Sequence, residues 1–169
     1  MWSVQETETL IFFGERRQST NVSMIVNKTS VFPSSREKVF SLLQRFDTLS
    51  FIAKPYATFE SIDGSNKLIW EPGKSFSFKF RMYGFIPLGI HKINVCEFGK
   101  DGIYTREGNP FCPTWNHRII LKELDNNQTE YTDEVEIDAG WKTFAVYLWA
   151  KSFYAHRQRK WLKLLRNRL

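Results

Sequence analysis

Ser75-Phe76-Ser77-Phe78-Lys79-Phe80-Arg81-Met82-Tyr83 decides how this 169-residue chain folds. Phe76, Phe78, Phe80 and Met82 share one face, and Ser75, Ser77, Lys79 and Arg81 the other. That period of two marks a strand with one side on a core and one in water. Ahead of it the pattern predicts strands over residues 56–62 and 67–71, with turns at Asp63-Gly64-Ser65-Asn66 and Pro72-Gly73. Behind it, Tyr83-Gly84-Phe85-Ile86-Pro87-Leu88-Gly89 reads as a turn into a strand over 90–98. Strands over 103–107, 115–124 and 129–138 follow, joined by short Gly-, Pro- and Asn-rich connections. Consecutive strands with such short links form an antiparallel meander.

Helical signals flank the meander. Residues 21–32 form one more strand, with Val22, Met24 and Val26 alternating, and Pro33 ends it. Ser34 and Glu37 make a capping box for a helix of about three turns that carries Val39, Phe40, Leu42, Leu43 and Phe46. A short second helix over 47–53 stops before Pro55. From 141 to 168 there is neither Gly nor Pro, and helix formers dominate, so the chain closes with a helix of roughly seven turns. The expectation is an α+β fold, a curved antiparallel sheet of about seven strands gripping the last helix. Residues 1–20 are expected to be an N-terminal extension, and 21–169 one domain.

Composition narrows the function classes. Cys96 and Cys112 lack metal-ligand spacing, and the apolar runs are too short to span a bilayer. Glu6 and Glu8 precede the short Leu10–Phe13 patch, so no export signal is visible, and a cytoplasmic protein without membrane insertion is expected. The formal charge is +6, and much of the excess lies in the final stretch, with His156, Arg157, Arg159, Lys160, Lys163, Arg166 and Arg168. Fifteen Phe and six Trp are more rings than a core of this size needs, which suggests that some line a pocket.

Over about residues 21–165 the chain resembles the START-like or Bet v 1-like superfamily, also called the polyketide cyclase and lipid-transport superfamily. The carriers are the element order, the Pro33-Ser-Ser-Arg-Glu-Lys-Val-Phe40 step from strand to helix, the Phe85-Ile-Pro-Leu-Gly-Ile-His91 turn and the closing helix. The segment Phe80-Arg-Met-Tyr-Gly-Phe-Ile-Pro-Leu-Gly-Ile-His91 looks like a motif of a poorly characterised bacterial branch. The resemblance implies a helix-grip fold around a cavity that holds lipids, sterols, polyketides or hormones. It carries over no catalytic motif.

Polar residues stranded among apolar neighbours are the candidates for a site. On the 129–138 strand Asp133 falls inside with Tyr131, and on 115–124 His117 falls inside with Trp115. His91 lies with Ile93 and Val95. Phe78 and Phe80 from the central strand, and Trp149, Phe153 and His156 from the closing helix, complete the expected ligand-binding set. Along that helix Trp141, Ala145, Leu148, Trp149, Ser152, Phe153 and His156 fall on one broad face. No metal or cofactor is expected. Glu130, Glu134 and Glu136 are assigned to ion pairs with Arg118 and Lys122 on the outer face.

Three functions follow. The first is binding of a small hydrophobic molecule, of lipid, polyketide or aromatic type, between sheet and helix. The second is a cyclase- or hydrolase-like reaction in the same cavity, using Asp133 and His117 as acid and base. The third is attachment of the basic helix end to an anionic surface, with Trp161 as an interfacial or stacking residue. Nucleic acid is not an expected partner, and a monomer or weak homodimer is expected.

Overall fold

The computed structural model describes residues 23–62 and 70–166. The expected extension over 1–20, the turn at 63–66, most of the strand expected over 67–71 and the last residues of the closing helix lie outside the described residues. Among the described residues the chain runs β1 (Met24–Phe32), α1 (Arg36–Leu43), α2 (Phe46–Ala53), β2 (Ala57–Ser61), β3 (Ser75–Met82), β4 (Ile86–Gly99), β5 (Gly102–Gly108), β6 (Thr114–Leu124), β7 (Gln128–Asp138), a 3-10 turn (Gly140–Lys142) and α3 (Thr143–Arg166). The strands form one antiparallel sheet in the order β1-β7-β6-β5-β4-β3-β2. The meander runs from β2 to β7, and β1 joins the far side of β7. The α+β helix-grip architecture read from the sequence is the one observed.

Local chemistry explains the joints. Asn126 and Asn127 both adopt left-handed backbone angles in the β6–β7 turn, φ 62° and 56°, which asparagine tolerates better than most residues. Gly102 lets β5 pass close to β6, because a Cβ there would sit 2.2 Å from the Ile119 carbonyl oxygen. The cap of α1 is Ser35 rather than Ser34, its Oγ accepting from the Lys38 N–H at 3.3 Å. Ser34 is buried instead, and its carbonyl oxygen accepts from Thr129 Oγ1 at 2.8 Å. Helix α1 has eight residues, about two turns rather than three, because Arg45 turns extended before α2.

Strand β4 departs most from the sequence reading. It begins at Ile86 rather than 90 and carries two extra residues relative to its partners, one opposite Phe80 and one at Cys96. Gly89, at φ 85°, supplies the left-handed residue of the first bulge. The second bulge turns Cys96 and Glu97 outward, so that Phe98 returns to the inner face against Phe40. A strict alternation cannot follow a strand through two bulges.

Helix α3 packs on β1, β7 and α2. Its buried stripe is Thr143, Val146, Ala150, Phe153, Tyr154, Arg157, Gln158, Trp161 and Leu165. The face expected from the sequence is therefore rotated: Leu148 is half exposed and Trp141 almost fully so, while Arg157 and Gln158 are inside. The core forms two clusters. One gathers Phe32, Val39, Leu42, Ile52, Leu121, Tyr131, Trp161 and Leu165. The other gathers Val26, Ala57, Phe80, Val135, Ile137, Val146, Phe153 and Tyr154.

Candidate functional site

Beside the second cluster the sheet and α3 enclose a cavity of about 610 Å³. Its floor comes from β3 to β6 with Phe80, Leu88, Ile93 and Trp115, and its roof from α3 with Val146, Trp149 and Phe153. Thr48, Leu49 and Ile52 of α2 close one side. Trp141 is 93% exposed and Phe111 about 39%, yet both also line the cavity, which places its opening between the β5–β6 connection and the start of α3. The aromatic wall is continuous: Trp149 stacks on Phe153 at 5.2 Å, Trp115 lies 6.0 Å from Trp149, and Trp115 Nε1 donates to Tyr154 Oη at 3.2 Å.

Two polar groups interrupt this apolar lining. The first is carried by β4 and β5. Asn109 Oδ1 accepts from the N–H groups of Phe111 and Cys112, both at 2.9 Å, so its amide nitrogen faces His91 Nδ1 at 3.2 Å. Nδ1 must then accept, and His91 Nε2 donates to Glu107 at 2.8 Å. Thr105 Oγ1 donates to the other Glu107 oxygen. Burial acts to raise the Glu107 pKa, but the His91 hydrogen bond, the nearness of both imidazoles and the Thr105 hydroxyl outweigh it, leaving the carboxyl below its ordinary range.

The second group joins β6, β7, β1 and α3. Asp133 is fully buried and its Oδ1 accepts from His117 Nε2 at 2.9 Å and from Tyr131 Oη at 3.1 Å. Oδ2 accepts from Gln158 Nε2 at 3.0 Å. That amide also donates to the Lys28 carbonyl at 2.7 Å, and Gln158 Oε1 accepts from Ser30 Oγ at 2.6 Å, which pins α3 to β1. Arg157 Nε lies 3.8 Å from Asp133 Oδ1, and Nη2 donates to Tyr131 Oη at 3.3 Å. Burial pushes the Asp133 carboxyl up, and the Arg157 charge with the His117 and Gln158 hydrogen bonds more than reverses this, so it stays below the usual carboxylate range. Burial raises both the Tyr131 and the Tyr154 phenols, which remain protonated.

The sequence candidates divide by position. His91, Trp115, His117, Phe80, Trp149 and Phe153 line the cavity. Asp133 sits one layer behind His117 and holds its ring through Nε2, and Tyr131 in turn donates to Asp133. Phe78 is wholly buried between Phe46 and Phe59. His156 stands outside the lining, its Nε2 2.8 Å from the Lys54 carbonyl oxygen and its ring on Tyr56. Trp161, the interfacial residue of the anionic-surface reading, is fully buried against Phe32 and Tyr131, so it cannot serve in that role. Arg118 pairs with Glu97 at 2.9 Å rather than with a β7 glutamate.

Sequence reasoning missed Arg157 and Glu107, both of which line the cavity. Each had a signal. Stepping back from Leu165 and Trp161 by three or four residues lands on Arg157 and Gln158, and the period of two on β5 places Glu107 with Ile103 and Thr105. Cys112 also lines the cavity, with its thiol pushed up to about 11, chiefly by burial, and so is no nucleophile at neutral pH.

No family model matches the sequence, and no curated protein resembles it closely enough to match. Solved structures do. A hypothetical protein from Helicobacter pylori superposes with TM-score 0.67 at 14% identity, covering 96% of this chain and 99% of that one. A START superfamily protein from Mycobacterium smegmatis gives 0.61 at 14% identity, covering 86% and 99%. The allergen Ara h 8.0201 gives 0.55 at 11% identity, covering 84% and 99%. With its curved seven-stranded sheet closed on a long C-terminal helix, the chain has the START and Bet v 1-like fold.

Proposed function

We propose that the protein binds one small, mainly apolar molecule in the cavity between sheet and α3. The observation that carries the reading is the cavity itself. At about 610 Å³ it falls within the range of about 300–1,000 Å³ typical of small-molecule sites. Aromatic walls supply apolar contact, and His117 and Arg157 supply polar contacts. Native mass spectrometry of the freshly purified chain, followed by solvent extraction, tests this. The expected result is a complex one small molecule heavier than the chain, converting to the bare chain on extraction. A bare chain before extraction that also takes up no apolar compound added in excess would refute it.

One observation favours a second reading, in which His117 moves a proton on the guest. Asp133 accepts from His117 Nε2, which leaves Nδ1, without a hydrogen bond among the described residues, as the free acceptor. Asp133 is wholly buried and would position His117 rather than touch the guest. On this reading a bound ketone in D2O loses an α-proton to His117 and regains a deuteron from solvent, and exchange disappears in His117→Ala. Absence of exchange above the solvent rate would leave binding alone.

A further inference from the structure

We infer that the guest is a neutral molecule that presents a carbonyl oxygen to Arg157, rather than a carboxylate or phosphate amphiphile. This rests on the cavity-binding reading and narrows its ligand class. Arg157 lines the cavity with 6% of its surface exposed. A guanidinium has five N–H donors in a fixed fork. Among the described residues only one is used in a hydrogen bond, from Nη2 to Tyr131 Oη at 3.3 Å. Nε has no partner, since 3.8 Å to Asp133 is an ion-pair distance and too long for a hydrogen bond. A buried cation with unused donors, at the wall of an apolar cavity, is a receptor for an oxygen acceptor.

The sign of the local charge decides which acceptor. Asp133 already opposes Arg157 from behind the lining, and Glu107 places a second carboxylate on the cavity wall. Both are held below the ordinary range and are ionised at neutral pH. The other cation of the lining, Lys142, is held at the opening by the Phe111 carbonyl and ring, so an anionic headgroup beside Arg157 would be a third negative charge against one buried guanidinium. A ketone, ester or amide carbonyl accepts from the guanidinium without adding charge.

The test is a series on one ring system, titrated into the full chain at pH 7.4 by tryptophan quenching: 2-acetonaphthone, 2-ethylnaphthalene and 2-naphthoate. The ketone should bind about tenfold or more tighter than either of the others, the size of one hydrogen bond to a charged donor. Its carbonyl stretch should fall to lower frequency on binding than in a hydrocarbon solvent. Arg157→Lys, which keeps a cation opposite Asp133, should bring the ketone down toward the hydrocarbon and leave the hydrocarbon unchanged. Equal binding of ketone and hydrocarbon, or an unshifted stretch, overturns recognition by Arg157 while leaving the cavity reading intact. Tighter binding of the naphthoate overturns the neutral guest. No binding of any of the three overturns both readings. The wild-type series and the infrared shift decide the matter even if the variant does not fold.

Discussion

Two tryptophans on α3 divide the molecule. Both touch the cavity, but Trp161 is packed between Phe32 and Tyr131 with no surface exposed, whereas Trp149 stands half-buried. Both ends use similar aromatic residues under the same helix, so residue type does not separate them. What differs is what the sheet offers in return. At the Trp161 end β1, β6, β7 and α1 supply large apolar side chains that interlock. At the Trp149 end β4, β5 and β6 supply His91, Glu107 and His117, held by their own polar partners and unable to fill apolar space. A filled half carries the stability that lets the other remain open.

The largest expected effect sharpens this contrast. Trp161→Ala should destabilise the protein by about 3–5 kcal/mol in urea unfolding, the cost of deleting a large side chain from a close-packed core. Trp149→Ala should cost less than about 2 kcal/mol, because its ring is already part-exposed. Equal losses would erase the division. Next comes the boundary between the halves. Arg157→Leu should cost about 3 kcal/mol by leaving Asp133 buried without its cation, and adding Asp133→Asn should recover part of that loss. No recovery in the double variant would mean the pair is not coupled.

A smaller effect is expected from pH. The folded-state pKa values of Asp133 and Glu107 are lowered, while unfolded Asp and Glu titrate near about 3.9 and 4.3. Below those values the unfolded chain binds more protons than the folded one. The stabilisation is thus complete above about pH 5 and is lost as pH falls through the lower folded values. Urea midpoints between pH 6 and pH 3 should drop more in the wild type than in an Asp133→Asn/Glu107→Gln variant. Parallel slopes would remove these two carboxylates from the account.

The regular strands are the more legible in sequence. Alternation on β3, β6 and β7 gave their inner faces, including the inward Asp133 and His117, because period two survives wherever a strand is regular. The bulges of β4 hid its true start and the inward return of Phe98. On α3 the stripe is rotated because Arg157 and Gln158 turn inward to Asp133, Tyr131 and the Lys28 carbonyl, partners that lie far away in sequence on β7 and β1. Burial of a polar side chain depends on a partner that single-sequence periodicity does not contain. The same holds for Glu107, whose partners lie on neighbouring strand positions only once the sheet is assembled.

The central claim is that the hollow half receives a guest, and the most direct measurement is titration of the neutral dye N-phenyl-1-naphthylamine into the wild type and into Leu88→Trp. Leu88 lines the cavity and is only partly buried, so the larger ring fills the space without displacing a tightly packed side chain. The account predicts saturable one-to-one fluorescence enhancement in the wild type, and affinity reduced by about tenfold or more in the variant, with little change in stability. Equal dye binding by both proteins, or none by the wild type, would contradict it.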